Sequence, residues 1–176
     1  RYKRFFADVS LNKKKVTAHC PNSGSMLGLL NEKNDAWISK SDNPNRKLKY
    51  TLEIINDKKS NVGVNTHRAN RIVEEALQKK KVDELKKYTN IKREVKYSEK
   101  TRFDFLLESK KRKVFLEVKN VTLSREKGIS EFPDAITERG KKHLAHLQDA
   151  INKGYESYLL FLIQREDIKI MKIAND

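Results

Sequence analysis

The feature that most constrains this chain is a change of hydrophobic period close to residue 66. Before it, apolar residues come in short runs rich in β-branched and aromatic side chains, at 4–11, 15–20, 36–39, 47–55 and 62–66. Clusters of Asn, Asp, Gly and Pro separate these runs, as turns between strands do. Five short strands without a long helix predict a small closed barrel of the oligonucleotide/oligosaccharide-binding (OB) type, and an open sandwich fits nearly as well. Beyond residue 66, Ala69, Ile72, Val73, Ala76 and Leu77 recur at helical spacing. A second short helix is expected over 82–87, followed by strands over 91–97, 103–107 and 114–119. Residues 123–133 read as a loop leading to Thr137, a helix N-cap. Gly140, Leu144, Leu147 and Ile151 then share one helix face, and Gly154 suits the stop. Strands over 158–164 and 168–173 close the order. The expectation is two domains, 1–66 as an OB-like β-barrel and 67–176 as an α/β domain with helices on a mixed sheet.

Charge narrows the class of partner. Of the 176 residues 39 are Lys or Arg and 24 are Asp or Glu, a net charge of +15. The excess is spread along the chain, with 14 basic and 6 acidic residues up to Arg68 and 25 and 18 beyond it. A folded surface of that sign attracts polyanions through counterion release, so DNA is the favoured partner over a merely solubilising lysine coat. The apolar runs stay far below the roughly 20 residues of a membrane-spanning helix, and the aromatics are scattered, so no membrane partner is expected. One cysteine, Cys20, permits no internal disulfide, and no apolar signal region opens the sequence; together they lead us to expect a cytoplasmic protein. The oligomeric state stays open, a homodimer being one option.

The chemistry concentrates in two strands. Arg102-Phe103-Asp104-Phe105 precedes Phe115-Leu116-Glu117-Val118-Lys119 across a polar segment that reads as a hairpin. Alternation puts Val114, Leu116 and Val118 on one face and Phe115, Glu117 and Lys119 on the other, with Glu117 and Lys119 about 7 Å apart along the strand. A tip at Lys110-Lys111 sets Asp104 opposite Glu117. Like charges facing across a ladder destabilise it, and buried charges must be paired or bound to metal. A hard divalent cation, Mg2+ or Mn2+, resolves the conflict, with Asp104 and Glu117 as its ligands. Such an ion would favour phosphodiester hydrolysis, with Lys119 acting on the water or the phosphate. Glu74 or Glu75 from the first helix would complete the shell. The competing reading is a structural pair in which Lys119 only neutralises Glu117 and Asp104 ends its strand in solvent.

Several blocks are similar to those of one family. Residues 1–9 (Arg1-Tyr2-Lys3-Arg4-Phe5-Phe6-Ala7-Asp8-Val9), 17–26 (Thr17-Ala18-His19-Cys20-Pro21-Asn22-Ser23-Gly24-Ser25-Met26), 43–48, 62–66, 117–123 and 132–140 resemble the SfsA (sugar fermentation stimulation protein) family nearly end to end. The resemblance implies an OB-like domain followed by a restriction-endonuclease-like domain of the PD-(D/E)XK class. It also implies non-specific DNA binding and a regulatory link to sugar (maltose) metabolism. Carried over by position, Asp104, Glu117 and Lys119 resemble the nuclease motif and Glu75 the acid of its first helix. One departure is Arg68-Ala69-Asn70, where the family shows a Pro before the Asn. The resemblance does not by itself imply turnover, because folds host many functions, and a DNA-binding regulator without catalysis remains the alternative.

Other residues carry weaker signals. Arg46-Lys47-Leu48-Lys49-Tyr50 interleaves basic and aromatic side chains, as a strand-binding groove does, and a lysine-protected strand edge fits equally well. Arg46, Lys47 and Lys49 are thus candidate DNA contacts. Arg139 and Lys142 join them as phosphate contacts, because in the family they and His143 belong to a block facing the site. His19 and Cys20 lack the spacing of a metal pair and read as part of a buried strand.

Overall fold

The structure, a computed structural model, describes residues 1–99, 101–133 and 137–175, with Arg139 described by its backbone alone. In chain order the elements are β1 (Phe6–Leu11), β2 (Lys14–His19), β3 (Asp35–Lys40), β4 (Tyr50–Asn56), β5 (Asn61–Gly63), α1 (Ala69–Gln78), β6 (Asn90–Ser98), β7 (Thr101–Glu108), β8 (Lys113–Val121), β9 (Leu123–Glu126), β10 (Ile129–Phe132), α2 (Glu138–Asn152), β11 (Glu156–Ile163) and β12 (Ile170–Ile173). They form two compact units. One comprises Arg1–His67, Asn120–Ala135 and Ile163–Asp176; the other comprises Arg68–Lys119 and Ile136–Leu162. Each unit thus draws on more than one stretch of the chain.

The first unit holds a sheet in the order β1-β2-β4-β3, with β5 paired to β4. Asn12 and Lys13 both have positive φ (50° and 64°), as the two-residue turn joining β1 to β2 requires. Leu52, Ile55, Val62 and Val64 pack with Cys20, Met26 and Leu29 in its core. The strand expected over 47–55 starts later, at Tyr50, because residues 42–49 carry Asp, Asn and Pro and form turns instead. Residues 123–133, expected as a loop, form the antiparallel pair β9–β10 across Gly128 (φ 79°), and β12 adds to β10 in parallel. This pairing draws both segments into the first unit. Arg165 clamps it: its guanidinium donates to Asp57 (2.9 Å), Asp167 (2.9 and 3.0 Å) and the Thr122 carbonyl (3.3 Å).

The second unit holds a sheet in the order β11-β8-β7-β6, with antiparallel ladders β6–β7 and β7–β8. Val114, Leu116 and Val118 of β8 pack with Phe105, Leu107 and the Ala69, Val73 and Leu77 stripe of α1. Phe115, on the opposite face, packs with Phe103, Leu106 and with Leu147 and Ala150 of α2. Each helix thus covers one face of the sheet, and burying each large side chain contributes roughly 1.5–3 kcal/mol. The expected helix over 82–87 is a single 3₁₀ turn, Asp83–Leu85. Thr137 caps α2 as expected, accepting the Gly140 N–H (3.0 Å), and Gly154 ends it at φ 85°. The buried face of α2 is displaced from the expected one: Leu144 and Ile151 are 52% and 48% exposed, whereas Leu147 and Ala150 face the sheet. A polar residue, His143, lies one turn before Leu147 on that inner face, which is why counting apolar residues alone misplaces it. No helix among the described residues is long and apolar enough to cross a membrane.

Candidate functional site

The β7–β8 ladder runs Glu108↔Lys113, Leu107↔Val114, Leu106↔Phe115 and Phe105↔Leu116, the register set by a two-residue tip at Lys110-Lys111. Pairing stops there, one step short of Asp104 and Glu117. In its place the Val118 N–H donates to Asp104 Oδ2 (2.7 Å), a side chain standing in for a ladder carbonyl. The neighbouring ladder is also interrupted here. Its pairs pass from Arg93↔Phe105 to Val95↔Phe103, omitting Asp104 and Glu94, and Glu94 has φ 49° in mid-strand. Phe105 and Phe103 consequently enter opposite cores, although residues two apart normally share a face. The two-strand kink sets Asp104 apart from the regular pleat.

Asp104 Oδ1 accepts a second hydrogen bond, from Asn70 Nδ2 on α1 (2.8 Å). Glu117 turns to the α2 side. Its Oε1 accepts from Lys119 Nζ (2.8 Å) and lies in close contact with His143 Nδ1. Its Oε2 is buried and has no hydrogen-bond partner among the described residues, and Glu117 is only 3% exposed. Leaving such an oxygen unsatisfied costs about 1–3 kcal/mol, more for a charged group. The expected neighbourhood of Glu117 and Lys119 is present, and Lys119 is itself mostly enclosed.

Not every expected residue is brought here. Glu75 is exposed and paired with Lys79 one turn on, whose ammonium holds its carboxyl below the usual range. Five residues past Asn70 is about 140° around the helix, which carries Glu75 off the face that meets Asp104. Glu74, the other candidate, pairs with Arg93 (3.0 Å). Asn70 takes the position that an acid of α1 was expected to fill. The sequence reading, which followed the nearby glutamates, missed it. Among the DNA-contact candidates, Lys47, Lys49 and Lys142 are exposed, and Arg46 donates to Thr51 Oγ1 (2.8 Å). The Arg139 side chain lies outside the described residues.

Two carboxylates with one buried oxygen unsatisfied fit a hard cation, which needs only one or two such ligands beside water and phosphate. Among the described residues, no three His, Cys, Asp or Glu side chains gather to enclose an ion by themselves.

A β-rich unit and a helix-flanked sheet bearing D…ExK define a class: an OB domain joined in one chain to a domain of restriction-endonuclease type. Comparison with known proteins agrees. Residues 1–64 match the SfsA N-terminal OB domain, and residues 67–176 match the sugar fermentation stimulation protein RE domain. The chain belongs to the sugar fermentation stimulation protein (SfsA) family. It is 59% identical over 176 residues to the homolog of Pelagibacter ubique, covering all of this chain and 76% of that one. To the Maricaulis maris homolog it is 45% identical over 178 residues, covering 100% and 76%. A solved structure of Pyrococcus furiosus SfsA in complex with Ca2+ superposes with a TM-score of 0.88 at 24% identity, over 98% of this chain and 73% of that one. At that identity the likeness concerns the fold.

Proposed function

We propose that the protein is a sequence-tolerant DNA-binding protein whose second unit hydrolyses phosphodiesters with Mg2+ or Mn2+ held by Asp104 and Glu117. The observation that carries this reading is Glu117, a buried carboxylate with one oxygen shared by Lys119 and His143 and the other without a hydrogen-bond partner among the described residues. A bound divalent cation would neutralise phosphate charge and acidify a coordinated water. Each Asp104 oxygen keeps a lone pair beyond the bond it accepts, so Asn70 and Val118 orient the carboxylate without exhausting it. Lys119 spends one of its three N–H donors on Glu117, leaving two for a phosphate oxygen or the attacking water. His143 braces Glu117 from α2. The supporting role first expected of Glu75 passes to Asn70. The net charge of +15 draws in the polyanion, with Arg46, Lys47, Lys49, Arg139 and Lys142 as phosphate contacts. The Ca2+ complex of the Pyrococcus furiosus protein supports a hard-cation site in the family. The family's name concerns sugar fermentation; a cytoplasmic setting and a link to the regulation of maltose metabolism belong to the same proposal.

Lys119→Ala tests the assignment. Cleavage of supercoiled plasmid should be lost while affinity for DNA stays within about twofold, since one phosphate contact among many carries little of the binding. Undiminished cleavage would overturn it. A second reading, a non-catalytic DNA-binding regulator on the same scaffold, is favoured by one observation: Glu75 is turned away, leaving two carboxylates where three acids were expected.

A further inference from the structure

A second cluster of chemistry lies in the first unit, and the proposed phosphodiester site does not use it. The chain opens with a tight turn in which Tyr2 and Phe6 exchange backbone hydrogen bonds (2.9 and 3.1 Å) around Lys3, Arg4 and Phe5. Lys3 and Arg4 are both left-handed (φ 45° and 59°), an unfavourable conformation for side chains other than glycine. The Cys20 N–H donates to the Phe5 carbonyl (2.8 Å), fixing Phe5 beside the end of β2. Tyr2 stacks on Phe6 (centroids 5.4 Å apart, planes 20° apart), and Phe6 faces His19 across the β1–β2 ladder. Phe5 stacks on His19 (6.4 Å, 29°), and His67 lies 6.3 Å beyond. The His67 turn is tethered by a hydrogen bond from Thr66 Oγ1 to the Pro21 carbonyl. The result is a file of five rings made of two groups, Tyr2–Phe6 and Phe5–His19–His67, joined through the Phe6↔His19 register pair, in which Tyr2 and Phe5 each remain 45% exposed.

The electrostatics around this file are cationic. Lys3 and Arg4 are exposed in the turn, and Arg46 acts on His19 from the β4 side. Burial, with help from Arg46 and His67, holds the His19 ring below its usual pKa and so favours the neutral ring that stacks best. The acid next along the ladder, Asp8, is already neutralised by Lys15 (2.8 Å) and accepts from Thr17 (2.8 Å).

We infer that this file of Tyr2, Phe5, Phe6, His19 and His67 is a stacking platform for the unpaired bases of single-stranded DNA. Exposed ring faces flanked by cations suit a strand whose bases are splayed and whose phosphates follow the charge. A duplex keeps its base faces inside the helix and offers the rings nothing. A neutral glycan would use the rings and gain nothing from the charge. The inference rests on the DNA binding proposed above and specifies the form of DNA that the first unit takes.

The test is fluorescence anisotropy in EDTA, with a labelled oligothymidylate of about 16 nucleotides and a duplex of the same length. Phe5→Ala and Tyr2→Ala should each weaken single-strand binding by about tenfold and duplex binding by less than about twofold. Phe5→Leu, which keeps the apolar bulk without a ring, should behave as Phe5→Ala, and Phe5→Trp should retain affinity. Raising salt should weaken the single-strand complex. Equal losses on both probes, or unchanged single-strand binding in Phe5→Ala, would overturn the platform and leave DNA binding standing. No binding of either probe by the unaltered protein would overturn the platform and the DNA-binding reading together.

Discussion

Asp104 accepts the backbone N–H of Val118 at 2.7 Å where the β7–β8 ladder would otherwise continue. The same carboxylate is held from the other side by Asn70, so one acid links two strands to α1. Glu117, beside Val118, is engaged instead by α2 through His143. The two carboxylates therefore sit at the same level of adjacent strands but are engaged by helices on opposite faces of the sheet.

Under the proposed assignment, cation binding by Asp104 and Glu117 would also be a stability event. Mg2+ or Mn2+ near a hundred times its dissociation constant should stabilise the folded protein by about 2.7 kcal/mol. Thermal unfolding in the two buffers measures this. The upward shift should be present in the unaltered protein and absent in Asp104→Ala and Glu117→Ala.

Asn70 is a positioning residue. Removing its bond to the Asp104 carboxylate in Asn70→Ala should cost about 1.5 kcal/mol, read from the urea midpoint. Asn70→Asp should be worse than Asn70→Ala, because it sets a second negative charge against Asp104.

Arg165 is almost wholly enclosed, its side chain 3% exposed, and it answers two carboxylates. Arg165→Ala would leave the half-buried Asp57 and Asp167 without their cation, and a loss of about 1.5–3 kcal/mol is expected. Arg165→Lys should rescue little, because an ammonium cannot reproduce the planar fork. Denaturant unfolding of both variants measures the difference.

Burial, and then the bond from its hydroxyl to Glu156, pushes Tyr88 up to about 12. In the unfolded chain the phenol ionises near 10, so between these values the folded state holds the proton that the unfolded state has lost. The contribution to stability is intact below pH 10 and fades as pH rises towards 12. Tyr97 is also raised, by burial and its bond to Asp149, so tyrosinate absorbance should show more than one tyrosine titrating late, and Tyr88→Phe should remove one of them.

The hairpin at 105–116 was legible because its ingredients are local: a polar tip and a two-residue turn fix which residues face each other, whereas the break in alternation at Asp104 was not. The closeness of Glu117 and Lys119 follows from the same pleat. Three other features depend on contacts distant in sequence. Asn70 is 34 residues from Asp104 and was masked by the nearby glutamates. The strands at 123–126 and 129–132 are too short to stand out from a loop until Ile170–Ile173 pairs with them. The inner face of α2 runs through His143, and a histidine on a core face declares itself only when its acidic partner is known.

The most direct test of the central claim is incubation of the purified protein with supercoiled plasmid in Mg2+, in Mn2+ and in EDTA, beside Asp104→Ala and Glu117→Ala. The account predicts nicking or linearisation in either metal, none in EDTA, and a loss of at least about a hundredfold in both variants, the scale of removing a principal electrostatic contribution to catalysis. Intact plasmid under every condition, with salt-sensitive DNA binding preserved in all three proteins, would contradict it and leave a binding protein on a nuclease scaffold.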